Sequence, residues 1–423
     1  MAIIKIRNAA IDLDAAEIPN LPATKITSGT LDNARISLDA AEIPNLDTAK
    51  ITTGTLADAR IPANALNSNV SVPNQSAFKN IIINGDMSIA QRGTSASSVT
   101  STSYNTVDRW QNYISSLGTW TVSQDTTVPT GQGFAKSLKY DCTTADASPS
   151  ASDVNILIQK FEGQNLQYLK KGTSSAESLT LSFWVRSNKT GTYTCEIFDG
   201  DNTRYIGKTY SISSADTWEK KTITFDGDTT GTLDNDNASS LNVHFWLGAG
   251  SDFTGGTFNN GTWGAGGNNT RVSSSQVNLA DSTSNEWYVT GVQLEAGSVA
   301  SDFEFLPVDV NLQRCQRYYF QYLSGTSKTV GIASYWTTTS VDTIINFPVE
   351  MRSAPSVVAT SGSSYYTVYV AGNGRAIDAG LSVNRTNLTS TQLYATTASD
   401  TAGRAGLWTT TNSSASIAFS SEL

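Results

Sequence analysis

The sequence predicts a mainly β protein: an N-terminal repeat shaft followed by two β-sandwiches. Three observations predict it. Charged residues make up 15% of the 423 positions, against roughly 25% in a typical soluble domain. Ser, Thr, Asn and Gly take their place, which suits short strands and polar loops better than helix faces built from Glu and Lys. One 25-residue segment is written twice near the start, and beyond it runs of strict apolar/polar alternation recur between Gly, Asn, Ser and Asp turns.

The first region, residues 1–76, carries the repeat. "AAEIPNLPATKITSGTLDNARI" (15–36) returns as "AAEIPNLDTAKITTGTLADARI" (40–61), with Glu17/Glu42, Pro19/Pro44, Lys25/Lys50, Gly29/Gly54 and Arg35/Arg60 in step. A finer beat runs through both copies, because Leu21, Ile26, Leu31, Ile36, Ala41, Leu46, Ile51, Leu56, Ile61 and Leu66 recur every five residues. Five matches neither the 3.6-residue helical period nor the two-residue strand period. One apolar residue in five is too few for a globular core, so each step must bury its Ile or Leu against another copy of itself. A single-chain solenoid or several chains wound about one axis would do this. Repeat stacks usually need three or more units, so the multi-chain shaft is the expected geometry.

Residues 77–308 read as an antiparallel β-sandwich. In "SLTLSFWVRS" (178–187), Leu179, Leu181, Phe183 and Val185 alternate with Thr180, Ser182, Trp184 and Arg186. In "SLNVHFWLG" (240–248), Leu241, Val243, Phe245 and Leu247 alternate with Asn242, His244 and Trp246. "WEKKTITFDG" and "EWYVTGVQLE" have the same character. Residues 249–285 form a long Gly/Asn-rich loop, and loops of that length are usually functional or disordered.

Residues 309–423 open with "VNLQRCQRYYFQYL", the one expected short helix, with Leu312, Cys315 and Tyr319 on a common face. Strands then return in "VDTIINFPV", "SVVAT", "YYTVYVAG", "TQLYATT" and "SIAFSS". About a hundred residues of this kind suffice for a second, smaller sandwich.

Two-residue periodicity puts Trp184, His244 and Trp246 on the face opposite the core residues. Exposed indoles offer flat apolar surfaces to the C–H faces of sugar rings, while neighbouring Asn, Asp and Arg serve the hydroxyls. Trp184, His244, Trp246 and Trp263 are therefore candidate carbohydrate-binding residues. The alternative is that the long loop or a neighbouring subunit covers them, and Trp263 and Phe258 are more simply read as pinning that loop.

Catalysis finds little support. Glycoside cleavage needs two carboxylates about 5–10 Å apart, and Glu162, Glu196, Asp199, Asp201 and Glu286 lie in no recognisable catalytic motif. The single histidine, His244, leaves any nucleophile one possible base. Cys142, Cys195 and Cys315 are widely spaced and read as small buried hydrophobes, with neither a disulfide framework nor a zinc site indicated. "LDNDNAS" (233–239) starts like a calcium loop but lacks the glycine and distal Glu of an EF-hand. No cofactor is expected. The net charge of −9 and a pI near 4.7 argue against nucleic acid or anionic lipid as partners, and no apolar run approaches a membrane span. "MAIIKIRNAAIDL" lacks a secretory apolar segment, so synthesis in a cytoplasm is expected.

Several segments resemble phage fibre proteins. "NIIINGDMSIAQRGTS" and "YNTVDRW" (80–95, 104–110) are similar to the opening of a carbohydrate-binding-module-like jelly roll. "EWYVTGVQLEAGSVASDFEFLPVDVNLQRCQRYYF" (286–320) is similar to its closing strand and the junction after it. "NFPVEMRSAPSVV" (346–358) resembles the entry to a distal β-domain, and "AKITTGTLADARIP" resembles shaft segments. The resemblance implies a homotrimeric virion appendage made in the bacterial host. Its N-terminus would attach to a tail or baseplate protein, and its distal sandwiches would meet host surface glycans without enzymatic activity. A polysaccharide depolymerase and a capsid-mounted fibre are the alternatives. Related modules often hold structural calcium. Asp86 is a weak candidate for one ligand, but Thr290-Gly291 stands where a second acid is expected, so no metal is assigned. Asp108, Arg109 and Trp110 match the family's "DRW" and read as maintaining the fold.

Overall fold

The structure is a computed structural model that describes residues 78–423. The expected shaft and attachment segment, 1–76, lie outside the described residues. The described residues form one compact unit.

The central strands are β1 (Ser95–Ser103), β2 (Gln111–Asp125), β3 (Ser137–Thr144), β4 (Val154–Glu162), β5 (Leu179–Ser187), β6 (Gly191–Asp199), β7 (Arg204–Ile212), β8 (Glu219–Phe225), β9 (Ser239–Ala249), β10 (Gly264–Ala265) and β11 (Glu286–Ala296). They hydrogen-bond in the order β10-β7-β6-β9-β4-β2-β3-β11-β5-β8, with β1 beside β2. The long β2 is what joins two layers. Its first half pairs with β4 through Ser116, and its second half pairs with β3 from Thr119, with register shifts at both junctions. Such bulges bend a strand and let it change sheets. Phe183 of β5 meets Phe245 of β9 with ring centroids 5.1 Å apart, and Trp287 of β11 meets Phe245 at 6.0 Å. The two layers therefore face each other across one aromatic core. A further bulge in β11, between Thr290 and Gln293, is made at Gly291, whose φ of +61° favours glycine.

Helix α2 (Val308–Gln316) follows; a single helical turn, α1 (Ser251–Thr254), precedes it in the loop after β9. The helix is shorter than expected. Tyr319 is not on its face but opens β12 (Tyr319–Ser324), because Tyr319 and Phe320 find backbone partners in Ser420 and Phe419. The remaining strands are β13 (Thr329–Tyr335), β14 (Ser340–Asn346), β15 (Ser356–Ala359), β16 (Tyr366–Val370), β17 (Asn373–Ile377), β18 (Ser382–Asn384), β19 (Ser390–Thr396), β20 (Ala405–Thr410) and β21 (Ser416–Ser420). They form a three-stranded sheet, β12-β21-β15, and a seven-stranded sheet, β17-β16-β20-β13-β14-β19-β18. Both contribute to one core that includes Val341, Tyr366, Trp408, Ile417 and Phe419.

All three cysteines are buried and free, and burial pushes the Cys142 thiol up to about 11. No helix among the described residues is long and apolar enough to cross a membrane.

Candidate functional site

The four candidate aromatics of the central sandwich do not come together. Trp184 lies half-buried on the outer face of the β3-β11-β5-β8 layer, opposite Thr290 and Lys220. His244 and Trp246 point outward from the other layer. Trp263 sits half-buried at an edge, where its Nε1 donates to the Asp226 carbonyl at 2.6 Å and the Lys171 ammonium stands 5.1 Å from its ring.

His244 and Trp246 are also not an exposed platform, and here the structure corrects the sequence expectation. Both are buried, because the 250–276 segment lies across their face. Phe253 of α1 packs 5.3 Å from the Trp246 ring, and Val272 joins Val154, Ile156, Ile158 and Trp246 in a small apolar cluster. Gln276 fastens the end of the segment, donating to the Trp246 carbonyl at 3.0 Å and accepting from the Thr194 N–H at 2.7 Å. The long loop is thus a cover held down by its own apolar and amide side chains.

Arg271 is the centre of this cover. Its guanidinium forms a two-pronged pair with Glu196, Nε to Oε1 and Nη2 to Oε2, both at 2.8 Å. It stands 4.8 Å from the Phe198 ring centroid and 5.2 Å from that of Trp246. His244 Nδ1 lies 2.8 Å from Glu196 Oε2, and Trp246 Nε1 donates to the same oxygen at 3.2 Å. Burial drives the Glu196 carboxyl upward, but Arg271 and His244 outweigh it and hold the group at about 2. Burial also lowers the His244 imidazole, against the pull of Glu196. The aromatic and acidic outer face of this sheet is therefore covered by the chain's own arginine.

Asp86 accepts from Ser88 Oγ at 3.0 Å and from Asn311 Nδ2 of α2 at 3.1 Å. No group of three or more metal-ligating side chains occurs among the described residues.

The open aromatic face lies instead on the distal sandwich. Trp336 is 68% exposed and Tyr394 is 37% exposed. With Asp342, Asn384, Arg385 and Gln392 they line an open depression of about 290 Å³. Register places these groups. Asp342 of β14 lies opposite Tyr394 of β19, and Gln392 lies between Ile344 and Asn384. Trp336 begins the turn between β13 and β14. That turn is closed by Trp336 N–H to Ser340 O at 2.9 Å and by Ser340 N–H to Thr337 Oγ1 at 3.0 Å, and it is tied to its neighbour by Thr397 N–H to Thr339 O at 3.0 Å. The indole is thereby presented on a fixed backbone rather than a loose loop. Asp342 accepts from Ser334 Oγ at 3.0 Å and from Gln392 Nε2, which leaves the remaining acceptor sites of its carboxylate for hydroxyl donors.

None of the residues of this depression is among the sequence candidates. The signal was present in "ASYWTTTS": Tyr335 belongs to the inward set of β13, so alternation sends the next residue, Trp336, outward. No catalytic motif or charge run marks it.

No protein-family model matches the sequence, and no curated protein matches it. Among solved structures, the chain is similar to the enzymatically active domain of tailspike protein 4 of bacteriophage CBA120, at 12% identity and a TM-score of 0.28, covering 52% of this chain and 21% of that one. It is similar to a family 11 carbohydrate-binding module from Clostridium thermocellum, at 14% identity and a TM-score of 0.23, covering 46% and 91%. It is also similar to a family 30 carbohydrate-binding module, at 12% identity and a TM-score of 0.26, covering 55% and 93%. The chain spans about a fifth of the length of the tailspike chain it matches.

Proposed function

We propose that this chain is an adhesive virion fibre, a phage tail fibre that binds host surface glycans through its distal β-sandwich without turning them over. The observation that carries the reading is the exposed Trp336–Tyr394 face with Asp342, Gln392 and Asn384 around it. Flat aromatic surface flanked by fixed hydroxyl-recognising groups, in an open depression, suits a saccharide better than a small apolar ligand. The repeat region would supply the shaft and attach to a tail or baseplate protein. The central sandwich, whose candidate sugar face is closed by its own loop, would serve as a rigid mount. Trp336→Ala is expected to weaken adsorption to host cells by roughly two- to tenfold per site, with larger losses where several sites act together. Unchanged adsorption by a folded variant would remove this site. Reducing-end release from host polysaccharide by the wild-type protein would favour a depolymerase instead.

We assign self-association to the apolar stripe that runs beside the depression on the outer face of the seven-stranded sheet, with a second copy of this chain as its occupant. Tyr369 of β16, Leu407 of β20, Ile332 of β13 and Ile344 of β14 are exposed and lie on successive strands, Tyr369 opposite Leu407 and Leu407 opposite Ile332. Ile332 and Ile344 are 70% and 62% exposed. Copies of a chain carrying −9 repel one another in general. The four side chains of the stripe carry no carboxylate or cation, and Asp342 lies only at its β14 end, so two copies approach here with less like-charge cost than over the rest of the surface. Cyclic symmetry would bring three such faces to one axis. An Ile332→Asp/Ile344→Asp double variant of the full chain is expected to sediment as a smaller species than the wild type. An unchanged oligomer would release the stripe from this role.

A further inference from the structure

We propose that the distal depression selects an anionic saccharide, with the Arg385 guanidinium as the acid-recognising group and Trp336 as the stacking face. This rests on the glycan reading of the same depression and names the class of sugar.

Arg385 is held in an unusual way. Its φ is +47°, a left-handed conformation that is costly for a non-glycine residue. The turn between β18 and β19 compensates through local hydrogen bonds. Arg385 N–H donates to Asn384 Oδ1 at 2.8 Å, while Asn387 Oδ1 accepts the N–H groups of Thr389 and Ser390 at 2.8 and 2.9 Å. A strained backbone kept by its surroundings is a reason to ask what the side chain does.

That side chain stands beside the Trp336 ring, which stays largely open, and is itself largely uncommitted. Its Cζ lies 5.7 Å from the Trp336 ring centroid. Its one hydrogen-bond contact to another side chain is a long one, Nη1 to Gln392 Oε1 at 3.5 Å. Among the described residues no carboxylate pairs with it, whereas Arg375 and Arg404 of the same sandwich both pair with Asp400, at 3.2 and 2.8 Å. The carboxylate in the depression is already engaged. Asp342 accepts from Ser334 and from Gln392 Nε2, and this orients Gln392 so that its Oε1 faces the guanidinium.

The chemistry follows from these positions. A guanidinium offers five N–H donors in a planar fork that matches the two oxygens of a carboxylate or phosphate. Near the indole, and with one long contact to Gln392, it keeps the outer edge of that fork free. A sugar ring laid on Trp336 would bring a ring carboxylate or a phosphate substituent to this edge, while Asp342 and Gln392 take hydroxyls. The surrounding protein is negative overall, so recognition of an acidic sugar needs such a local contact.

The test measures binding of the full-length chain to a panel of uronate-containing bacterial polysaccharides. Each is paired with its carboxyl-reduced form, and a polysaccharide of phosphodiester-linked sugar rings forms a separate arm. The wild type is expected to prefer at least one acidic member over its neutral counterpart by about 10- to 100-fold, a preference lost in Arg385→Gln and only partly kept in Arg385→Lys. Trp336→Ala should weaken binding of acidic and reduced forms alike. Binding confined to the phosphate arm would identify phosphate rather than carboxylate as the source of charge and leaves the proposal standing. Trp336-dependent binding that ignores acid against neutral, or an Arg385→Gln protein that still discriminates, overturns the proposal while the glycan reading survives. No binding to any saccharide overturns both.

Discussion

Arg271→Ala is expected to destabilise the protein by about 3–5 kcal/mol, the usual cost of stranding one member of a buried ion pair. The Glu196 side chain is fully buried and faces Arg271 through two 2.8 Å contacts. Without the guanidinium, only His244 and the Trp246 indole remain to serve the carboxylate. Urea unfolding should therefore shift to lower denaturant, and Trp246 should become accessible to a fluorescence quencher as the 250–276 cover loosens. The Glu196→Gln/Arg271→Ala double variant should recover part of the loss, because it removes the stranded charge. A midpoint unchanged in Arg271→Ala would show that the pair does not hold the cover.

The same cluster sets an acid limit. Glu196 is held at about 2, below its ordinary 4.5, so between those values the unfolded chain binds a proton that the folded chain refuses. Its contribution is complete above about 4.5 and disappears as the pH falls through about 2. His244, lowered by burial, acts in the same direction below its ordinary 6.5. Wild-type stability should fall as pH drops through this range, and Arg271→Ala should show a shallower fall between 4.5 and 2.

Arg109→Ala is expected to cost about 3 kcal/mol and to loosen the two sandwiches from each other. Arg109 is almost wholly buried. It donates to the Lys160 carbonyl at 2.7 Å, pairs with the Glu422 carboxylate, and lies 3.5 Å from the Tyr318 ring centroid. It therefore joins the central sandwich to both ends of the distal one. Arg92 also reaches Glu422, at 3.1 Å, which sets the cost at the lower end of the usual range. Glu162, Arg317 and Tyr318 form a second tie, with Arg317 contacts of 2.8 and 2.7 Å. Calorimetry should show the melting of Arg109→Ala separating into two transitions, with faster protease cleavage between the sandwiches. A single cooperative transition at the wild-type temperature would contradict this role. The "DRW" segment read as fold-maintaining thus has a specific task at its arginine.

Much of the β architecture was legible because alternation is local. Phe183 and Phe245 were placed inward by their own segments, and they meet across the core at 5.1 Å. Alternation states which way a side chain points relative to its strand. It does not state what lies over it. Trp184, His244 and Trp246 all point away from the core, yet they fall on opposite layers and two of them are covered.

What the sequence determined by itself was the mainly β class, the inward sets of the strands, the buried character of the cysteines and the acidic balance of the whole chain. Each follows from composition or from a period of two residues. Tertiary structure alone decided which outward aromatics meet solvent. His244 and Arg271, 48 and 75 positions beyond Glu196, had to converge on it before the three could close the central face. Trp336, Asp342 and Arg385 came together only because β13, β14, β19 and β18 are neighbours in the distal sheet. Strand order is set by packing between distant segments, and no local pattern encodes it.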